Sequence, residues 1–176
     1  MTTKGLSKTV HATDHYENFP VASFIIPKKI RKHVINVYNF ARLADDVADE
    51  GKMESKERIR LLNLFDKVLK IQNDPQLNSF NKSKIENKII TITTLVKNDF
   101  SKLEISHDWL SRLLVAFRYD SKFTVFETWK HVFAYCENSA NPIGRILLEL
   151  FGIDGNNKNH QSMLKKIHLK SDAICT

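Results

Sequence analysis

The segment PKKIRKHVINVYNFARLADDVADE, residues 27–50, predicts one long helix. After Pro27, which the first turn of a helix tolerates, the segment contains neither proline nor glycine, and Gly51 follows as a natural end. At 100° per residue, one side of this helix is apolar. That side carries Phe40, Leu43, Ala44 and Val47, with Val37 and Ala48 beside it, whereas Asn36, Asn39 and Glu50 mark the expected solvent-exposed edge.

The same helix carries a polar stripe. Tyr38, Arg42, Asp45 and Asp49 follow one another at i, i+4, i+7 and i+11, and Asp46 lies on the flank. Carboxylates at i and i+4 repel each other by ~0.2–0.5 kcal/mol in an isolated helix, so helix stability does not explain the pattern. A divalent cation would explain it, because Mg²⁺ is bound by one or two carboxylates together with water and phosphate oxygens. The alternative is a solvated acidic face that pairs with lysines.

The remainder of the chain is also predicted to be helical. ESKERIRLLNLFDKVLKIQN has an amphipathic period, and a helix from about Ser83 to Phe100 competes with a strand because residues 90–93 read ITIT. WLSRLLVAFRYD follows the capping residues 106–108, and the next apolar segment should kink or break at Asn141-Pro142. A last helix restarts in HQSMLKKIHLKSDAICT. The fold class is therefore all-α.

Composition narrows the classes of function. The 176 residues include only five Gly and four Pro, which is few for a sandwich or barrel. A net charge of +7 suits an anionic partner: a phosphorylated metabolite, nucleic acid or an acidic membrane surface. The segment PKKIRK at the start of the long helix could meet such a surface, although a solvated helix start explains it equally. The sequence contains no stretch of ~18 apolar residues, so a soluble protein is expected.

Four segments together resemble the squalene/phytoene synthase family. They are HYENFPVASFIIPKKIRKHVINVYNFARLADDVADEG (15–51), LLVAFRYD (113–120), YCENSANPIGRILLELFG (135–152) and SDAICT (171–176). Their order also agrees with the family. The branch that they resemble most is the hydroxysqualene synthase of bacterial hopanoid synthesis.

The resemblance implies the isoprenoid synthase fold, in which a central cavity lies between two facing aspartate motifs. By that resemblance, Asp45, Asp46 and Asp49 are the metal ligands for Mg²⁺, and Arg42 and Tyr38 join Asp45 and Asp49 as catalytic residues near the substrate diphosphate. The break at Pro142 would let a helix bend around the prenyl chain. The positions implied to contact substrate are His15, Phe19, Phe24, Asp120, Tyr135, Ala140 and Gly144.

The implied activity is Mg²⁺-dependent ionisation of presqualene diphosphate to hydroxysqualene, or head-to-head condensation of farnesyl diphosphate, in a transferase or lyase. The implied partner is a prenyl diphosphate and not nucleic acid, and the implied location is the cytoplasm, with peripheral membrane association as a further option. Two other classes stay open: a non-catalytic helical fragment or partner subunit, and a basic nucleic-acid-binding or interaction protein.

The domain expectation is a mobile tail over residues 1–14, followed by the N-terminal part of a single domain over 15–176. SDAICT stops in mid-pattern without a helix cap, so we expect a truncated chain. The family's second aspartate motif would follow Thr176, and its absence leaves turnover by the 176-residue chain an open question.

Overall fold

The computed structural model describes residues 25–70, 82–122, 125–153 and 161–175. Within these ranges the regular structure consists of seven α-helices and contains no strand, which confirms the all-α prediction. In chain order they are α1 (Lys28–Asp49), α2 (Ser55–Lys70), α3 (Lys84–Leu103), α4 (Asp108–Asp120), α5 (Trp129–Ser139), α6 (Asn141–Leu150) and α7 (Gln161–Cys175).

Local sequence explains where the helices begin and end. α1 starts directly after Pro27 and ends before Glu50, whose backbone is extended, and Gly51 then takes a positive φ of 73°. α3 begins with a capping box, in which Ser83 accepts from the backbone N–H of Glu86 and the Glu86 side chain accepts from the backbone N–H of Ser83. The strand alternative for residues 90–93 is therefore wrong, because a capped amphipathic helix runs through them.

The predicted break at Asn141-Pro142 is confirmed. α5 ends at Ser139 and α6 begins at Asn141, with Ala140 as the single residue between them. Pro142 occupies the first turn of α6, where its missing N–H is not needed for the helix. The chain therefore turns at Ala140 rather than running straight.

α1 lies at the centre of the fold and packs against α2, α3, α4 and α6. Its apolar side is buried as predicted, and the Phe40 ring meets the Phe65 ring of α2 edge to face, with centroids 5.3 Å apart. The expected exposed edge is wrong at Asn36, whose side chain donates a hydrogen bond of 2.6 Å to Asp99 of α3. His33 Nδ1 lies 3.0 Å from the same carboxylate, so this edge of α1 packs on α3.

The described helices include no segment that is both long enough and apolar enough to cross a membrane.

Candidate active site

The polar stripe of α1 lies on the side opposite the core. Tyr38, Arg42 and Asp45 are half-buried, and Asp49 at the end of the helix is exposed. The orientation follows from the helical period, because Phe40, Leu43, Ala44 and Val47 take the other side into the core. The sequence prediction that one face carries these groups is confirmed.

Arg42 is paired with three acidic side chains. Its Nη1 lies 3.0 Å from Asp45, its Nε 2.9 Å from Asp46 and its Nη2 2.6 Å from Glu50. The guanidinium thus neutralises part of the negative charge at the end of α1. Asp46 is thus one of the partners of Arg42, and its expected role as a metal ligand stays a prediction.

Two residues from other helices complete the cluster. Asp120 is the last residue of α4, and its carboxylate accepts a hydrogen bond of 2.9 Å from the hydroxyl of Tyr135 on α5. The stripe on α1 is close enough to both for electrostatic coupling, since Asp49 affects the ionisation of Asp120 and Asp45 affects that of Tyr135. Three helices therefore converge at this cluster, and the expected contact of Asp120 and Tyr135 with substrate stays a prediction.

Burial first, and neighbouring carboxylates second, raise the pKa values of three groups in this cluster. Burial raises the pKa of Asp45, and Asp49 raises it further, while Arg42 compensates only in part and Asp46 and Asp120 add to the rise. Burial likewise raises the pKa of Asp120, the hydrogen bond from Tyr135 opposes the shift, and Asp49 adds to it. Burial and then Asp120 raise the pKa of the Tyr135 hydroxyl, which therefore stays protonated as a donor.

The donor set fits a hard divalent cation. In the ranges that the structure covers, no three His, Cys, Asp or Glu side chains are placed as a ready-made metal cage. Mg²⁺ does not require one, because it keeps several waters and takes one or two carboxylates plus phosphate oxygens. Asp45 and Asp49 offer such oxygens on one face, and a cation there would offset both the burial of Asp45 and the negative charge of Asp49, which raise the Asp45 pKa.

A pocket of about 350 Å³ lies beside Tyr135, between α4 and α5. Tyr119 stacks on Phe126 with ring centroids 5.3 Å apart, and Phe126 lies 5.1 Å from the ring of Tyr135. The pocket is lined by Val115, Ala116, Tyr119, Phe126, His131, Ala134, Tyr135 and Asn138. Sequence analysis missed Tyr119 and Phe126, because their contact crosses the α4–α5 connection and follows no helical period.

Ala140 and Gly144, which are also expected to contact substrate, do not line this pocket. Ala140 forms the turn between α5 and α6, and Gly144 is buried where α6 meets α7. A Cβ on Gly144 would lie 2.3 Å from Ser171 Oγ, so this glycine permits close packing of the two helices. His15, Phe19 and Phe24 lie outside the described residues, and their roles stay predictions.

Comparison with known proteins agrees with this architecture. The squalene/phytoene synthase family matches residues 12–169. The hydroxysqualene synthase of Zymomonas mobilis subsp. mobilis is 33% identical over 162 residues, which is 91% of this chain and 46% of that protein. The hydroxysqualene synthase of Rhodopseudomonas palustris is 30% identical over 140 residues, covering 80% of this chain and 43% of that protein. The chain thus spans about half the length of the curated relatives it matches.

A solved structure gives the same result for the fold. The squalene synthase HpnC from Alicyclobacillus acidocaldarius is 27% identical to this chain with a TM-score of 0.63, covering 92% of this chain and 53% of that one. The arrangement of the described helices is therefore an isoprenoid synthase fold. Because the family match covers most of the sequence, including the aspartate stripe, Asp120 and Tyr135, the chain belongs to the squalene/phytoene synthase family.

Proposed function

We propose that this chain supplies a Mg²⁺-dependent site for a prenyl diphosphate and acts in the ionisation of presqualene diphosphate to hydroxysqualene. The observation that carries the proposal is the convergence of Asp45 and Asp49 on α1 with Asp120 on α4, next to Arg42. Two relatives that bear the name hydroxysqualene synthase support this choice of reaction.

The reaction needs charge stabilisation and an apolar lining. In ionisation the C–O bond breaks and both electrons leave with the diphosphate; a water oxygen then bonds to the carbocation and a proton is released. Bound Mg²⁺ would neutralise charge on the departing diphosphate. Arg42 presents several N–H donors for phosphate oxygens, and Tyr119, Phe126 and Tyr135 present ring faces that suit an apolar chain or a nearby cation.

Condensation of two farnesyl diphosphates begins with the same ionisation. The described residues thus serve either reaction, and the names of the relatives favour hydroxysqualene formation. A product assay separates the two reactions: hydroxysqualene from presqualene diphosphate supports the proposal, whereas products from farnesyl diphosphate alone favour condensation.

The first test is calorimetric titration of the chain with a non-hydrolysable farnesyl diphosphate analogue, with and without Mg²⁺. We expect Mg²⁺-dependent binding that Asp45→Asn abolishes while helix content is unchanged. Asp108→Asn, at an exposed site at the start of α4, removes the same charge and should bind normally. If the two variants lose binding equally, or if the wild type binds the analogue as tightly without Mg²⁺ as with it, the proposed site is contradicted.

A second candidate function is that of a partner subunit, and α5 favours it. No residue of this helix is buried. Even its large aromatic side chains are open to solvent: Trp129 is 77% exposed and Phe133 54% exposed, with ring centroids 6.5 Å apart. Contiguous exposed apolar surface marks interaction sites, and this ring pair is the candidate for one on α5. Mixing the purified chain with a full-length family member should then give a complex that Trp129→Ser weakens, while Ile25→Ser, at another exposed apolar residue, leaves it intact.

Peripheral membrane association and the absence of nucleic-acid binding complete the proposal. Lys28, Lys29 and Lys32 are exposed at the start of α1, where they can face an anionic surface. Co-sedimentation with vesicles containing anionic lipid, compared with neutral vesicles, tests the first point. Salt-dependent binding of DNA or RNA without Mg²⁺-dependent binding of diphosphate would favour the nucleic-acid hypothesis instead.

A further inference from the structure

Arg58 is a buried cation next to the aspartate stripe. It lies in the first turn of α2, is only 2% exposed, and is the largest fully buried side chain among the described residues. The hydrogen bonds that the structure gives its guanidinium all go to backbone carbonyls. Nη1 donates to Val47 O at 2.9 Å, Nη2 to Gly51 O at 2.9 Å and Nε to Met53 O at 3.0 Å.

These three carbonyls trace the end of α1 and the turn into α2. The last four carbonyls of a helix have no partner within the helix, and Val47 O is one of them. A positive charge is favourable at a helix C-terminus. Arg58 therefore fixes the backbone of the last turn of α1 in relation to α2, and it holds the turn in which Gly51 adopts its positive φ.

Simple stabilisation does not require this arrangement. Burying a guanidinium is costly, and an apolar side chain of similar volume is often at least as stabilising, so a buried charge is better explained by the geometry that it specifies. Val47 lies between Asp46 and Asp49 in the sequence, inside the turn that carries the stripe. Asp45 and Asp49 stand four residues apart on the same helix, a spacing at which two negative charges repel each other and weaken the helix.

We propose that Arg58 is a positioning residue for the metal and diphosphate site: by clamping three carbonyls it keeps the last turn of α1 helical and its carboxylates in register. The inference rests on the proposed function for its ligand, but its structural part does not. Arg58 acts through backbone atoms and touches no substrate.

The structural part is tested on the protein without metal or ligand. Hydrogen exchange is measured for backbone amides 46–51 in wild type, Arg58→Gln and Arg58→Lys. The control is Leu69→Ala, which removes a buried side chain from the same helix, eleven residues and ~16 Å further along. The two variants are compared under conditions in which they are equally far below their melting temperatures. There we expect amide exchange at residues 46–51 to be at least ~10-fold faster in Arg58→Gln than in Leu69→Ala. Equal exchange in the two variants overturns the proposal.

The functional part uses titration with Mg²⁺ and a non-hydrolysable farnesyl diphosphate analogue. Arg58→Gln should weaken Mg²⁺-dependent binding by ~10-fold or more, and Leu69→Ala by less than ~3-fold, because small misplacements in a binding site are costly. Arg58→Lys keeps the charge but not the three-way fork, so an intermediate loss is expected. If Arg58→Gln does not fold, the lysine variant decides by the same comparison. If the loss of binding affinity in each variant is proportional to its loss of thermal stability, the proposal is overturned.

Failure of the proposed function would look different. If the wild type does not bind the analogue, the proposed prenyl diphosphate site fails, and the role of Arg58 is decided by the exchange experiment alone.

Discussion

Gly144→Ala should destabilise the protein through a clash that the structure locates. Gly144 is buried on α6, and an added Cβ would lie 2.3 Å from Ser171 Oγ and 3.2 Å from Cys175 Sγ on α7. Overpacking of this kind costs ~1–3 kcal/mol. Replacing glycine by alanine inside a helix returns up to ~1 kcal/mol. The approach to Ser171 is far closer than real Cβ atoms make, so we take the upper part of the overpacking range, ~2–3 kcal/mol. Less a return of ~1 kcal/mol, the net loss is ~1–2 kcal/mol, which corresponds to ~2–8 °C in Tm for a chain of this size.

The partner change isolates the cause. Ser171→Ala removes the Oγ, after which the nearest atom of residue 171 would be its Cβ, at an ordinary contact distance of 3.7 Å. The double variant should then recover most of the lost stability, with a coupling free energy of ~1–2 kcal/mol in a double-mutant cycle. Urea unfolding followed by circular dichroism measures all four proteins. A neutral Gly144→Ala, or a double variant as unstable as the single one, would refute the close approach of α6 and α7.

The same four proteins test the other role expected for Gly144, which is to admit the prenyl chain. Substrate contact and helix packing both favour a small residue, so stability alone does not separate them. If the double variant recovers stability and also binds the diphosphate analogue, packing explains the glycine. If it recovers stability but not binding, the added methyl obstructs substrate, as the family resemblance implies.

Three further predictions concern ionisable groups. Hydrogen bonds with Arg60 and Ser83 lower the pKa of Glu86 from 4.5 to about 2. The stabilisation that the ionised Glu86 contributes is therefore present above pH 4.5 and lost as the pH falls towards 2. In urea unfolding, Glu86→Gln should cost ~1 kcal/mol at pH 7 and almost nothing near pH 2. Burial and then Asp49 raise the pKa of Asp45, so the folded state binds this proton more tightly than the unfolded state does. With a chelator present to remove metal ions, the protein should therefore lose stability as the pH rises above 3.8. Asp45→Asn should make the stability depend less on pH in the same range. Tyr135→Phe removes the hydrogen bond to Asp120 and should cost ~1–2 kcal/mol at neutral pH. Asp120→Ala removes the acceptor, so a double-mutant cycle of the two changes should show that this loss is shared.

The sequence predicts the helices well because their signals are local. α1 illustrates this: Pro27 before it, Gly51 after it and an uninterrupted apolar period between them set both its length and its buried side. The break at Asn141-Pro142 is equally local, since proline removes a hydrogen bond wherever it falls inside a helix. The stripe of Asp45 and Asp49 was predicted for the same reason, because both residues lie on one helix.

Contacts between helices carry no comparable local signal. Asn36 looked like an exposed residue, yet it bonds Asp99, which is 63 positions away in the chain. From the sequence alone, Arg58 is an ordinary basic residue of an amphipathic helix. It is buried because of how α2 packs on the end of α1. The stacking of Tyr119 on Phe126 depends on the path of the connection between α4 and α5. These pairings arise from tertiary packing, which the helical period does not encode.

Two arginines near the end of α1 bond different kinds of partner on opposite sides of the helix. Arg42 bonds carboxylates on the exposed side, so its pairing can change when phosphate oxygens compete for the same N–H donors. Arg58 bonds backbone carbonyls on the buried side, where no anionic ligand can displace it. A turn that carries mutually repelling carboxylates would otherwise relieve its repulsion by fraying, since helix ends are held by few hydrogen bonds. In the proposed site, the carboxylates must stay in register before a cation binds, and the three hydrogen bonds of Arg58 would hold their backbone from the buried side.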